Sequence, residues 1–396
     1  MKFSVLLPTR NRLEYLRFAV TSVLKQDYSN WEIIISDNFS HEDIKSYVDS
    51  LNDSRIKYFR TSSFISVTDN WNNALEKSSG DYFIMLGDDD CLLKNYFNFC
   101  HTHLQEHGFP DLIYNSAVQF TYPNVNPSIP HGQVDRHAYA TFLVGAQSPF
   151  IVDKDEARKL AQSALNFNVT VNFNAQHCLI SRSLMNQMKK FGPFYQSPYP
   201  DYYSTVALLL SSQRILAVPT PLVVIGVSPK SFGCYYINDA EKQGNAFLNN
   251  IPDMQHYNDI KKHILSGTIM NTSWLLAMET IKLNYKEEIV LEVNYTKYRM
   301  LQVLHSLKKF ACFEQTKMSD LLKLAKDLFW WERIAYLIPF FISIIIRYQP
   351  KKSLSKRCAT RMAYRFSHPR LGPSKNIAGE YNNILDVFDT PLDKLQ

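Results

Sequence analysis

Apolar positions over the first ninety residues switch repeatedly between two patterns. Lys2 to Leu7 is a short β-prone run, stopped by Pro8-Thr9-Arg10-Asn11-Arg12. Leu13 to Gln26 then places Leu16, Ala19, Val20, Val23 and Leu24 at helical spacing. The pattern recurs, with strands predicted over Glu32–Asp37, Arg55–Arg60 and Tyr82–Leu86, and helices over Glu42–Leu51 and Thr68–Ser78. Strands alternating with helices at this spacing predict a largely buried parallel sheet with right-handed crossovers.

In such a sheet the carboxyl ends of parallel strands share one edge, where ligands bind. Three strands deliver polar residues there: Pro8 to Arg12, Asp37-Asn38, and Asp88-Asp89-Asp90 after Gly87. Three consecutive carboxylates are costly unless a cation offsets them, and hard divalent cations favour oxygen ligands. The competing reading is a solvated turn, since Gly and Asp also form turns. Neither a G-x-G-x-x-G nor a Walker loop follows the first strand, which weighs against dinucleotide and P-loop chemistry.

Further along, a helix is predicted over Lys94–Gln105, a strand over Asp111–Asn115 and a long loop over Thr121–Gly132. Asp153 to Leu165 reads as a helix capped by Asp153. Cys178–Ser181 reads as a strand, preceded by Asn174, Gln176 and His177, of which His177 is read first as a hydrogen-bonded structural histidine. Pro200 and Asp201 start a helix that continues to Leu210, and Ile215–Ile225 is apolar. Lys230, in Ser228–Gly233, is read as either a phosphate contact or a solvated lysine. From about Asp253 helical patterning takes over, including Ile264–Leu283, Tyr298–Phe310 and Met318–Leu328. The apolar run Ile334–Ile346, broken by Pro339 and Ser343, is shorter than the roughly 20 residues of a spanning helix. It suits an interfacial or re-entrant helix, with Trp330 and Trp331 at one end.

Composition changes this picture in two ways. The formal charge of +6 is local: Arg347 to Arg370 holds eight basic residues and no acidic ones. That points to an anionic membrane surface meeting this segment and not to nucleic-acid binding. The six cysteines form no C-x-x-C pair, so neither a zinc knuckle nor a disulfide framework is expected. The apolar fraction of 45% supports a substantial core. The N-terminus lacks an export signal pattern, and the expected location is cytoplasmic, peripheral to the membrane's cytoplasmic face.

Taken together, Ser4–Arg12, Ser22–Gln26, Glu32–Asn38, Asn70-Trp71-Asn72-Asn73-Ala74 and Ser79–Tyr82 running into Leu86–Asp90 resemble glycosyltransferase family 2. The resemblance implies an α/β fold of the GT-A, Rossmann-like type, with a mixed, mainly parallel sheet flanked by helices and a mainly helical C-terminal extension. It also implies a nucleoside-diphosphate sugar as donor and inverting transfer assisted by Mg²⁺ or Mn²⁺. Carried over, Pro8, Thr9 and Arg10 lie along the nucleotide, Asp37 bonds the base, and Asn70 to Asn73 border the pocket. Asp90 leads as metal ligand, with Asp88 as a further ligand and Asp88 or Asp89 near the ribose. The family's first Asp of Leu-Asp-x-Asp-Asp is Gly87 here. Asp201 falls where the family has its general base, which an inverting transfer needs to remove the acceptor proton. A helix cap is the plainer role for Asp201, and a cap or turn role the plainer one for Asp37. The absence of Gln-x-x-Arg-Trp, a motif of processive synthases, implies single addition.

The expected organisation is a catalytic domain at 1–235, a helical region at 236–329, a membrane-associating segment at 330–370 and a tail at 371–396. The expected acceptor is a hydroxyl on a glycan or lipid-linked glycan. A sugar-phosphate nucleotidyltransferase and a non-catalytic glycan-binding protein of the same fold are the alternatives.

Overall fold

The computed structural model of the chain describes residues 1–125, 131–136, 140–197, 199–231, 260–313, 316–350, 356–358 and 375–395. Its first half follows the alternation of the sequence: β1 (Phe3–Thr9), α1 (Leu13–Leu24), β2 (Trp31–Asp37), α2 (Ile44–Leu51), β3 (Ile56–Arg60), α3 (Val67–Glu76) and β4 (Tyr82–Met85). After the acidic tip come β5 (Cys91–Leu92), α4 (Tyr96–Glu106), β6 (Leu112–Thr121), β7 (Gly132–Arg136), β8 (Phe150–Val152), α5 (Lys154–Leu165), β9 (Cys178–Ser181), α6 (Arg182–Met188), α7 (Pro200–Ser211) and β10 (Ile215–Val227). The C-terminal part contributes α8 (Ile269–Asn284), α9 (Tyr295–Lys308), α10 (Met318–Lys326), α11 (Trp330–Ala335), α12 (Leu337–Arg347), β11 (Lys375–Tyr381), α13 (Leu385–Phe388) and α14 (Leu392–Leu395).

The strands form one mixed sheet whose main path runs β11-β7-β6-β9-β4-β1-β2-β3, with β10 paired to β6, β5 and β8. Parallel pairing joins β4-β1-β2-β3, as the alternation predicts, and also β6 to β10. The other half is antiparallel, because β9 inserts between β4 and β6 against both. The register aligns Thr9 with Asp37, so the ends of β1 and β2 lie together at the edge where β4 opens into the acidic tip.

The buried strands need apolar cover on both faces. On one face, α1 contributes Leu16, Ala19, Val20 and Val23, and α4 contributes Tyr96, Phe97, Cys100 and Leu104. On the other, α5, α7 and α8 share one cluster. The helical region after residue 260 therefore shares a core with the sheet. Asp153 caps α5 as expected, accepting from Glu156 N at 2.8 Å.

Two segments differ from their sequence reading. The strand at Asp111–Asn115 is a ten-residue β6 reaching Thr121, which shortens the long loop to the span before β7; residues 126–130 of that loop lie outside the described residues. Of the tail expected at 371–396, the described residues 375–395 return to the sheet, where β11 pairs antiparallel with β7. Its Ile377, Tyr381, Ile384, Val387 and Phe388 pack with Tyr122 and Cys91 behind the acidic tip.

Within the segment expected to meet a membrane, the described residues include two helices, α11 and α12. Arg299 of α9 anchors the first, bonding Glu332 through Nε at 2.7 Å and Nη2 at 2.6 Å, with both side chains buried. Phe340 and Ile344 face the cluster of Leu307, Phe310 and Leu324, while Ile338 (71% exposed), Phe341 (59%) and Ile345 (61%) point away. Among the described residues no helix is long and apolar enough to cross a membrane. Of the basic run, only Arg347, Lys356 and Arg357 lie among the described residues.

Candidate active site

The acidic tip forms where β4 ends and the chain turns sharply through Gly87 toward β5. A Cβ on Gly87 would stand 2.4 Å from Asp90 Oδ2, so a side chain there, as in the family pattern, needs that carboxylate to shift. Gly226 of β10 is more tightly constrained, since a Cβ there would meet the Asp89 backbone carbonyl at 1.8 Å.

All three carboxylates are buried, and each has its own partners. Asp88 accepts from Thr9 Oγ1 at 2.7 Å and Arg12 Nη1 at 2.6 Å. Asp89 Oδ2 accepts from Ser228 Oγ at 2.7 Å, with Arg12 Nη2 at 3.5 Å. Asp90 accepts from Gly87 N and Gly226 N at 2.8 Å each and from Gln176 Nε2 at 2.5 Å. Asp89 Oδ1 is the one carboxylate oxygen of the three to which no described group donates.

Burial raises the Asp88 carboxyl, against the pull of Arg12, and raises Asp90 to about 8, reinforced by Asp89 and opposed by its three donors. Burial alone would lower the Arg12 guanidinium, but Asp88 and Asp89 hold it above its ordinary value. Among the described residues, Arg12 is the one cation bonded to this triad. Excess buried negative charge, the open Asp89 oxygen, and a buried Gln176 Oε1 with no hydrogen-bond partner together fit a hard divalent cation.

Asp201 lies in the first turn of α7, one residue after Pro200, and the helix N-cap is Tyr199. Capping is therefore not the role of Asp201. Its Oδ1 accepts from Ala175 N at 2.8 Å. Burial pushes the carboxyl up to about 7, with that N–H opposing. Ala175 opens a 3₁₀ turn, Ala175–His177, and the next residue, Gln176, reaches Asp90. His177 closes the turn, buried, with Nδ1 at 2.7 Å from the Asn115 carbonyl and its ring stacked on Tyr114. Burial lowers it to about 4, leaving a neutral structural histidine.

The residues expected along the nucleotide are more tightly engaged. Asp37 is fully buried, accepting from Ser40 N at 2.9 Å and Tyr58 OH at 2.6 Å. The bond to Ser40 N is the local turn role anticipated as its plainer reading. Asn70 exchanges bonds with Ser36, through Oδ1 at 2.7 Å and Nδ2 at 3.1 Å, and Asn73 Nδ2 donates to Ser36 Oγ at 2.7 Å. They tie α3 to β2. Asn72 clasps the Tyr195 backbone. Arg10 lies over the Phe64 ring, 3.9 Å from its centroid, with Nε buried and unbonded. Pro8 holds its place within β1, paired with Ser36. Lys230 donates to the Asn11 carbonyl at 3.0 Å.

The site residues absent from the sequence reading's assignments are Arg12, Ser228 and Gln176. Arg12 stood inside the polar loop after β1, and Gln176 beside the predicted Cys178 strand. No local pattern links either to an acidic tip many residues away.

Residues 4–147 match the family model described as glycosyl transferase family 2. Over 95 residues the chain is 43% identical to a GalNAc(5)-diNAcBac-PP-undecaprenol beta-1,3-glucosyltransferase of Campylobacter jejuni, covering 23% of this chain and 31% of that one. Over 92 residues it is 32% identical to the UDP-Glc:alpha-D-GlcNAc-diphosphoundecaprenol beta-1,3-glucosyltransferase WfgD of Escherichia coli, covering 23% and 36%. The matched part thus spans about a third of the length of these curated relatives. A crystal structure of S. aureus TarS in complex with UDP-GlcNAc aligns over 93% of both chains at 13% identity and a TM-score of 0.49. Strands β1 to β4 and the acidic tip that follows lie within the part of this chain that is similar to glycosyl transferase family 2.

Proposed function

We propose that the protein is an inverting glycosyltransferase that moves one sugar from a nucleoside-diphosphate sugar to a hydroxyl of a lipid-linked glycan. The observation that carries this reading is the turn at Ala175-Gln176, which bonds a carboxylate poised near neutrality, Asp201, and a buried acidic triad from adjacent positions. An inverting transfer needs this pairing: a base on the acceptor side and charge compensation on the leaving-group side.

Asp201 is the base in this account. Its Oδ1 is fixed by Ala175 N, and Oδ2 takes the acceptor proton as the hydroxyl oxygen attacks the anomeric carbon. The bond from that carbon to the diphosphate breaks, and its electrons leave on the phosphate oxygen. A carboxyl near pH 7 balances ionised fraction against basicity. Asp89 Oδ1, with Asp90 and Asp88, would hold a divalent cation. That assignment follows from the donors already bonded to Asp88 and Asp90, which led the sequence reading. When bound, the cation would offset charge on the leaving diphosphate. Thr9 and Arg12 hold Asp88 in place, while Pro8, Arg10 and Asp37 line the nucleotide side. A donor base reaching Asp37 would exchange with the Tyr58 hydroxyl.

The acceptor class rests on the two relatives, whose names specify undecaprenol diphosphate acceptors. A lipid-linked acceptor requires access to a bilayer surface, and the outward side of α11 and α12 supplies it. Trp330, Ile334, Ile338, Phe341 and Ile345 are exposed at helical spacing and form one apolar stripe. In this reading the stripe lies on the cytoplasmic face of the membrane, with the basic run beside the headgroups.

Supplying the protein with single nucleoside-diphosphate sugars and an undecaprenyl-diphosphate glycan tests the proposal. Release of nucleoside diphosphate that needs the acceptor, with product of inverted anomeric configuration, is the expected result. Retained configuration, or pyrophosphate release with a nucleoside triphosphate, would overturn it.

A further inference from the structure

The last turn of α4 carries His103, Glu106 and His107, and their ligating atoms all lie within 4.8 Å of one another. We propose that these three side chains form a second metal site, for a borderline transition cation of the zinc type, separate from the acidic triad.

The geometry follows from helical spacing. Residues three and four apart share a helix face, so positions 103, 106 and 107 project to one side. Imidazole and carboxylate bind Zn²⁺ at about 2.0–2.2 Å, and three protein ligands plus a water complete a tetrahedral site. Binding requires the side chains to rotate from the observed spread to that geometry. His103 Nδ1 is buried and makes no hydrogen bond, although Glu106 Oε2 lies 2.9 Å away. The nitrogen and the carboxylate thus face each other at ion-pair distance, a contact that a shared cation would replace.

The surroundings of the three side chains are set by the helix end, its cap and one aromatic ring. His107 is the C-cap residue of α4, where helix carbonyls carry partial negative charge. Arg214 fixes this end, donating to the His107 carbonyl at 2.5 Å and the Gly108 carbonyl at 3.2 Å. The Phe99 ring covers one side of His103 at a centroid distance of 4.2 Å and limits its rotation. Imidazole nitrogens select zinc-type ions over Mg²⁺, whereas the all-carboxylate triad suits hard cations. The two sites also lie at opposite edges of the sheet. α4 starts just past the acidic tip and runs roughly 16 Å to the edge where β6 and β10 begin.

Titrating the full-length protein with cobalt chloride and zinc chloride, each alone, tests the assignment. Co²⁺ is expected to give a visible absorption band that Zn²⁺ abolishes. The double variant His103→Ala/His107→Ala should lose the band, and Glu106→Gln should weaken Zn²⁺ binding by roughly tenfold or more. Mn²⁺ binding should be the same in all three proteins. Circular dichroism in chelator establishes that the variants are folded; if the double variant is not, Glu106→Gln and the single His107→Gln carry the comparison. Zn²⁺ affinity and Co²⁺ spectrum unchanged in the folded variants would overturn the proposal, as would a band absent from the unaltered protein.

Discussion

Ala175 and Asp201 stand 26 residues apart and are joined by one hydrogen bond of 2.8 Å from the backbone N–H to the carboxylate. Because Gln176, next in the chain, bonds Asp90, a single short turn fixes two acidic groups contributed by different elements. The arrangement holds Asp201 and the triad in one frame, so small errors in the turn become errors in the distance between them.

On the proposed role of Asp201 as base, its raised carboxyl sets the pH dependence of transfer. A base must be ionised, so turnover should fall as pH drops through about 7. A pH series of kcat at saturating donor and acceptor checks this. A profile flat from pH 5 to pH 8 would exclude a base with this environment.

Stability should move the other way in the metal-free protein. Asp90, raised to about 8, Asp88 and Asp201 bind protons in the folded state that the unfolded chain has released by about pH 4 to 5. Stability therefore falls as pH rises from about 5 to 8. Saturating Mn²⁺ should shrink that slope, because the cation compensates the ionised carboxylates. Denaturant titrations at pH 5 and pH 8, with and without Mn²⁺, read both effects. A slope indifferent to Mn²⁺ would remove the cation from the triad.

Gly87→Ala tests the turn. Its Cβ would press on a carboxylate already held by three donors, so a cost of about 1–3 kcal/mol is expected, the usual range for overpacking. Gly87→Asp, which restores the family residue, should cost at least as much and weaken Mn²⁺ binding. Thermal melts and Mn²⁺ titrations check this; a neutral Gly87→Ala would mean that the tip relaxes freely.

The parallel half of the fold and its functional edge were legible in the sequence because both rest on local signals. Alternating periodicities place β1 to β4, and strand ends in a parallel sheet converge by topology. Asp201 was legible only through family resemblance, since Pro-Asp before an apolar run also describes an ordinary helix start. The partners of the triad were not legible. Arg12 reaches it from the loop after β1, Gln176 from the turn before β9, and Gly226 and Ser228 from the end of β10, all contacts between segments distant in sequence. Asn70 and Asn73 carry the opposite lesson: polar residues beside a pocket can be absorbed in holding α3 to β2.

The apolar stripe on α12 makes a separate prediction. Ile338→Glu/Phe341→Glu alters side chains that point away from the core, so the melting temperature should barely change. Sedimentation with vesicles containing anionic lipid should drop strongly, along with transfer to a lipid-linked acceptor. Transfer to a short water-soluble acceptor should be retained. Undiminished vesicle binding would take this face off the membrane.

If Asp201 is the general base of a sugar transfer, Asp201→Asn removes that base and little else. The substitution keeps the shape and an oxygen for Ala175 N–H but removes the basic carboxylate. Turnover should fall by about 10²-fold or more while donor affinity, measured by titration with the intact nucleoside-diphosphate sugar, stays near that of the unaltered protein. Near-normal turnover with unchanged donor binding would contradict the account and place the base elsewhere.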